Sequence, residues 1–166
     1  MSLRVAVVTV SDRSARGERE DASGPALAAA AQAGGAEVVR REVVPDDEHG
    51  LATLLQAICD APDAPDLLLT TGGTGIGPRD RAPEATRAVC DRMVPGIAET
   101  LRARSLAATP NAMLSRGEAG VRRRTLIVNL PGSPGGARDG WGTVAQVAAH
   151  AAAQLRGGDH PVRGAP

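Results

Sequence analysis

The chain has 166 residues, 42% of them hydrophobic, and a formal net charge of +0; that is enough apolar material for one core and too little charge to hold nucleic acid by its overall field. Trp141 is the single member of the Phe, Trp and Tyr class, so base-stacking platforms are missing and Ala, Val and Leu must fill the interior. All 19 basic residues are arginine, and recognition of phosphate must be local, through guanidinium or backbone N–H groups.

Arg4 to Val10 (RVAVVTV) is a β-branched run that predicts a buried strand. The polar stretch from Ser11 to Gly24 is long for a connector, and loops of that length in compact domains are often functional. Ser23 is placed to cap a helix through Ala26 to Ala33, which Gly34 and Gly35 end. Ala36 to Val44 predicts a second strand. Asp46 and Asp47 precede a helix carrying Leu51, Leu54, Leu55 and Ile58 at helical spacing. Asp66 to Thr71 is a short apolar strand that breaks at a glycine-rich turn, Gly72 to Gly77. Pro83 and Glu84 open a further helix, and Pro95 and Gly96 precede another over about Ile97 to Leu106. Thr125 to Leu130 is the last strand. Asp139 is the expected cap of a final helix to about Leu155. We expect one domain over residues 1–156 and a loosely ordered tail over 157–166.

Strands alternating with helices predict an α/β fold with a mostly parallel central sheet. Ligands of such sheets sit at the carboxyl ends of the strands. That rule selects the loops after Val10, Thr71 and Leu130. In the second, Gly72, Gly73, Thr74 and Gly75 let backbone N–H groups approach an anion. It is neither a Walker A loop, which needs a lysine, nor the dinucleotide fingerprint, whose third glycine is replaced. A tight turn with positive φ would need the same glycines without any ligand. Asp80 follows closely, and a carboxylate beside bound phosphate calls for a cation between them; Mg²⁺ is the usual one. Asp46 is its natural partner, unless both residues only cap helices. Ser11, Asp12, Asp21, Ser23 and Gly24 offer small polar contacts, or an ordinary solvated loop. Arg116, after Ser115, can fork onto phosphate or form a surface ion pair. Asn129 to Gly136 is rigid turn chemistry. His49, His150 and His160 have no ligand spacing, and Cys59 and Cys90 fall on predicted helices as core residues. The two cysteines, far apart and without a CxxC, fit a reduced cytoplasmic chain. The apolar start, Met1 to Val10, is too short for a signal or a membrane span.

In order along the chain, Thr9-Val10-Ser11-Asp12, Asp21-Ala22-Ser23-Gly24-Pro25, Val44-Pro45-Asp46-Asp47, Thr71-Gly72-Gly73-Thr74-Gly75, Pro78-Arg79-Asp80, Pro83-Glu84-Ala85-Thr86, Met113-Leu114-Ser115-Arg116 and Asn129-Leu130-Pro131-Gly132 resemble the molybdopterin adenylyltransferase (Mog/MoaB) family, which includes the gephyrin G domain. The resemblance implies a three-layer α/β sandwich that assembles as a homotrimer or higher homo-oligomer. It implies the joining of molybdopterin to ATP, with Mg²⁺, giving adenylylated molybdopterin and pyrophosphate. A partner enzyme would then insert molybdate. By the same resemblance Asp46 and Asp80 match the acidic residues tied to Mg²⁺ and catalysis. The substrate-binding set becomes Ser11, Asp12, Ser23, Gly24, Gly72, Gly73, Thr74, Gly75, Glu84, Ser115, Arg116, Pro131 and Gly132. Ser11 matches the pterin segment, Ser115 a substrate-binding serine, and Gly72 to Gly75 the nucleotide pocket. Two readings compete with catalysis: a pterin-binding carrier of the same fold, and an unrelated nucleotide-binding regulator.

Overall fold

The structure is a computed structural model that describes residues 2–158. Strands β1 (Arg4–Val10), β2 (Glu37–Val44), β3 (Leu67–Thr71) and β6 (Thr125–Leu130) fall where the apolar runs predict them. They lie side by side as β2-β1-β3-β6, with parallel ladders throughout. Two strands that the sequence did not announce, β4 (Arg92–Met93) and β5 (Ala119–Arg122), continue the sheet beyond β6 as antiparallel pairs. The sheet is therefore mixed, parallel through its centre and antiparallel at one edge.

Helices cover both faces. On one side α2 (Ser23–Ala33), α5 (Pro95–Ser105) and α6 (Pro134–Leu155) pack on Val5, Val7, Leu67, Leu69, Leu126 and Val128. On the other, α3 (Glu48–Asp60) and α4 (Ala82–Val89) pack on Ala6, Val8, Leu68 and Ile127. Alternate residues within each of β1, β3 and β6 thus feed separate cores, the period-two rule of a sheet buried on both faces. Both cores are aliphatic, and Trp141 of α6 is buried beside Gly34, where a Cβ would stand 3.2 Å from its Nε1. Among the described residues no helix is long and apolar enough to cross a membrane.

Several ends differ from expectation. The polar stretch after β1 contains a short helix, α1 (Asp12–Ala15), capped by Ser11, whose Oγ accepts from the Ser14 N–H. Ser23 is not a cap but the first residue of α2; the Asp21 carboxylate does that work, accepting from the Gly24 N–H at 3.0 Å. Asp47 caps α3 through the Gly50 N–H, which leaves Asp46 free of that duty. Asp139 caps nothing. Helix α6 begins more than a turn earlier, at Pro134, with Ser133 accepting from the Gly136 N–H. Two glycines inside this helix, Gly136 and Gly140, sit where a side chain would collide. A Cβ on Gly136 would stand 2.8 Å from Pro131, and one on Gly140 would stand 2.7 Å from Leu130, so only glycine lets α6 lie this close to the end of β6. At the other end Gly157, at φ +84°, closes α6. Of the expected loose tail, residues 159–166 lie outside the described residues.

From β1 the chain passes through α2 on one face to β2, then through α3 on the other face to β3. The connections around β1 and β3 therefore diverge, and a crevice opens at their carboxyl ends.

Candidate functional site

Thr9 pairs with Thr71, and Thr71 with Leu130, so the three loops selected from the sequence start at one level and meet. Their meeting is close. The Thr71 hydroxyl donates to the Pro131 carbonyl at 2.7 Å, the Gly72 N–H donates to the Leu130 carbonyl, and a Cβ on Gly132 would stand 3.1 Å from the Gly72 Cα. Gly72 and Gly73 adopt φ of +98° and +65°. At Gly72 a Cβ would also meet the Val10 carbonyl at 2.4 Å, so the turn itself demands glycine. Turn geometry and ligand access are not rivals here. The N–H groups of Gly73, Thr74 and Gly75 have no partner among the described residues, and all three residues border cavities.

Gly75 and Gly77 have a different purpose. A Cβ at either would stand 2.8 Å from Asp80 Oδ2, which accepts from the Gly77 N–H at 2.8 Å. The anion that these two glycines admit is Asp80's own carboxylate. Asp46 faces the same turn from the end of β2: its Oδ1 lies 3.2 Å from where a Gly73 Cβ would be. Its Oδ2 accepts from the Asp12 N–H at 2.8 Å, while Asp12 Oδ1 accepts from the Asp46 N–H at 3.0 Å. Asp12 is in turn gripped by both Nε and Nη2 of Arg79, at 3.0 Å each. That guanidinium holds the Asp12 carboxyl below its ordinary range, whereas burial, followed by the charges of Asp12 and Asp80, pushes Asp46 up.

Asp46 and Asp80 both border a small polar cavity of about 220 Å³, together with Ser11, Ser23 and Gly72. Among the described residues no group of three or more His, Cys, Asp or Glu is arranged to hold a metal. Two mutually repelling carboxylates with part of a shell nevertheless suit Mg²⁺, which takes one or two protein carboxylates and completes its shell with water and substrate phosphate. A second cavity of about 1090 Å³ is bounded by Ile76, Leu101, Ala112, Leu114 and Ser115 and by the glycines at the start of α6. Asp80 and Gly132 are the two residues that border both.

Arg116 is not a free phosphate fork. Its Nε donates to the Gly75 carbonyl at 2.7 Å, its Nη2 donates to the Asp80 carbonyl at 2.6 Å, and it is paired with Glu84. Its N–H donates to the Thr74 carbonyl as well. Arg116 therefore fixes the shape of the glycine turn, and Glu84, its carboxyl lowered by Arg116, anchors the guanidinium from α4. Ser115 borders the large cavity, where its Oγ accepts from the Gly117 N–H.

Sequence reasoning missed two supports. Buried Asn129 donates to the hydroxyls of Thr70 and Thr86 at 2.9 and 2.8 Å and accepts from the Glu118 N–H, tying β3, α4 and β6 together beneath the turn. Thr9 donates to Asp21 at 2.9 Å, and Gly24 has no room for a Cβ, which would meet Thr9 Oγ1 at 2.3 Å. Gly24 is thus structural in its fit, and Ser23 reaches the small cavity. Cys59 and Cys90 are no nucleophiles: burial pushes their thiols up to about 12 and about 11.

Residues 6–150 match the family model described as "Probable molybdopterin binding domain". The chain is similar to the molybdopterin adenylyltransferase of Helicobacter pylori strain J99, 39% identical over 148 residues, covering 83% of this chain and 79% of that protein. It is also similar to the molybdopterin adenylyltransferase of Escherichia coli K12, 41% identical, covering 80% of this chain and 69% of that one. Among solved structures it resembles the molybdopterin biosynthesis enzyme MoaB of Thermus thermophilus. That pair is 49% identical with a TM-score of 0.86, covering 93% of this chain and 97% of the other.

Proposed function

Because the chain belongs to the probable molybdopterin binding domain family, we propose that it is a molybdopterin adenylyltransferase of molybdenum cofactor biosynthesis, a nucleotidyltransferase using ATP and molybdopterin. The observation that carries this reading is the convergence of Asp46 and Asp80 under one glycine turn, where the small cavity meets the large one. Relatives that bear the adenylyltransferase name at 39–41% identity support it. A pure carrier gains nothing from two carboxylates that repel each other and the bound phosphates.

The reaction joins the terminal phosphate of molybdopterin to the α-phosphorus of ATP and releases pyrophosphate. Little covalent help is needed from the protein; positioning and charge neutralisation do the work. The unpaired N–H groups of Gly73, Thr74 and Gly75 offer hydrogen bonds to phosphate oxygens, and Arg116 holds those donors in place. Asp80 and Asp46 are the residues to hold Mg²⁺, which would supply neutralisation of the developing charge. Asp12 orients Asp46, and Ser115, Pro131 and Gly132 line the walls. We assign Ser11 and Ser23 to polar contacts in the small cavity. Action in the cytoplasm, assembly as a homotrimer and hand-over to a molybdate-inserting enzyme complete the proposal.

The test is pyrophosphate release from ATP and Mg²⁺ with and without freshly prepared molybdopterin. Release that depends on the pterin is the expected result. Pterin binding with no release would replace the enzyme by a carrier.

A further inference from the structure

We propose that the small cavity is the seat of the leaving pyrophosphate and that Arg19 is the residue that binds it there; this rests on the adenylyltransferase reading. In that reaction an oxygen of the pterin's terminal phosphate bonds to the α-phosphorus of ATP. The bond from that phosphorus to the oxygen bridging to the β-phosphate breaks, and the oxygen leaves with the electron pair as part of pyrophosphate. The products differ sharply in kind. One is a single large molecule carrying both ring systems, and the other is a small polyanion.

The two cavities differ in the same way. The large one has the apolar walls of Ile76, Leu101, Ala112 and Leu114 and the volume for linked rings. The small one, at about 220 Å³, falls below the usual range for a whole ligand. Its walls are hydroxyls, backbone and charges: Thr9, Ser11, Ser14 and Ser23 beside Asp46 and Asp80. Asp80 and Gly132, shared by both, mark where the breaking bond lies.

Arg19 is the one cationic residue among those that border the small cavity. Most arginines around the site have partners: Arg79 holds Asp12, Arg116 holds Glu84 and the turn, and Arg102 donates to the Gly117 carbonyl. Arg19 is exposed and makes no hydrogen bond or ion pair among the described residues. Its loop is nonetheless fixed, since Asp21 is held by Thr9 and by the Gly24 N–H. An unpaired arginine on an anchored loop, bordering a polar cavity, suits bidentate recognition of a phosphate. Glu20, Asp21, Asp46 and Asp80 also border the space. A bare diphosphate would be repelled by them, so binding requires Mg²⁺ to accompany it.

The experiment titrates inorganic pyrophosphate, with and without Mg²⁺, into the full chain and into Arg19→Gln and Arg13→Gln, by calorimetry. Arg13 is another exposed arginine, on α1, that borders neither cavity. Losing charge-assisted hydrogen bonds at an exposed group should weaken pyrophosphate about tenfold in Arg19→Gln. Arg13→Gln should bind like the parent, and the urea midpoint of Arg19→Gln should not move. Equal affinity in Arg19→Gln and the parent, or equal weakening in both variants, overturns the proposal. Pterin-dependent pyrophosphate release by the parent is measured alongside. If release occurs but Arg19→Gln binds pyrophosphate normally, only the role of Arg19 falls. If binding depends on Arg19 but no release occurs, the diphosphate site stands and the enzyme reading falls.

Discussion

Replacing Arg116 by Met keeps the alkyl stem and removes the guanidinium, which separates a turn-holding role from a phosphate-binding one. The change deletes donations to the carbonyls of Gly75 and Asp80 and the pair with Glu84. Hydrogen bonds given by a charged donor contribute about 1.5–3 kcal/mol each, and a solvent-facing ion pair contributes about 1 kcal/mol or less. The Arg116 and Glu84 side chains are 35% and 22% exposed, so water can reach the groups left behind. The low end therefore applies, and we expect a loss of about 3 kcal/mol. Urea unfolding should show a lower midpoint with an unchanged slope. In turnover, kcat should fall at least tenfold because the Gly73 to Gly75 donors lose their alignment, while KM for ATP changes only a few-fold. Arg116→Lys should recover part of the stability and little of the rate, since an ammonium cannot span three acceptors in one plane. A variant that unfolds like the parent and loses only affinity for ATP would refute this reasoning and restore Arg116 as a phosphate ligand.

Asp80→Asn preserves the acceptor for the Gly77 N–H but removes the charge; kcat should drop more than about 100-fold with pterin affinity nearly unchanged, and equal loss of both in parallel binding and rate assays would sink the assignment. Gly72→Ala forces a Cβ to 2.4 Å from the Val10 carbonyl at φ +98°; calorimetric unfolding should show a loss of about 2 kcal/mol or more, and a neutral result would mean the turn can move. Asp46 is raised by burial and by its acidic neighbours, so the folded state favours its protonated form. That contribution is fully present below the unfolded pKa and is lost as pH rises through the folded one. Asp46→Asn should accordingly be more stable than the parent at pH 7 and inactive, with the stability gain vanishing in acid; urea titrations that show no gain at pH 7 would contradict the pKa direction.

Apolar runs made the central strands legible, because a strand buried on both faces has to be continuous in Val, Leu and Ile. β4 and β5 gave no such signal. Two exposed residues and the stretch Ala119-Gly120-Val121-Arg122 are too short for a period to show. The start of α6 was hidden for a different reason. Its glycines have poor helix propensity, and the proximity of Leu130 and Pro131 that accounts for Gly136 and Gly140 is not visible in the sequence. At the site, the stretches were legible because strand ends collect ligands, but their couplings were not. Arg79 and Asp12 are 67 residues apart, Asn129 and Thr70 are 59 apart, and Arg116 and Glu84 are 32 apart. No local pattern encodes such pairs; they appear only once the sheet order is known.

Those long-range pairs also explain how the fold tolerates its acidic centre. Three aspartates, Asp12, Asp46 and Asp80, crowd one crevice, and a chain selected for stability alone would separate them. Each is restrained differently. Asp12 is neutralised by Arg79, which removes one charge from the cluster. Asp80 is fixed by the Gly77 N–H and by glycines that leave it room. Asp46 receives one N–H, and burial together with its acidic neighbours pushes it toward protonation. Two carboxylates without a cationic partner among the described residues, Asp46 and Asp80, thus border the small cavity beside the glycine turn. A cation arriving with the substrate's phosphates would relieve that imbalance, so binding energy that the free protein forgoes at Asp46 becomes available when the substrate complex forms.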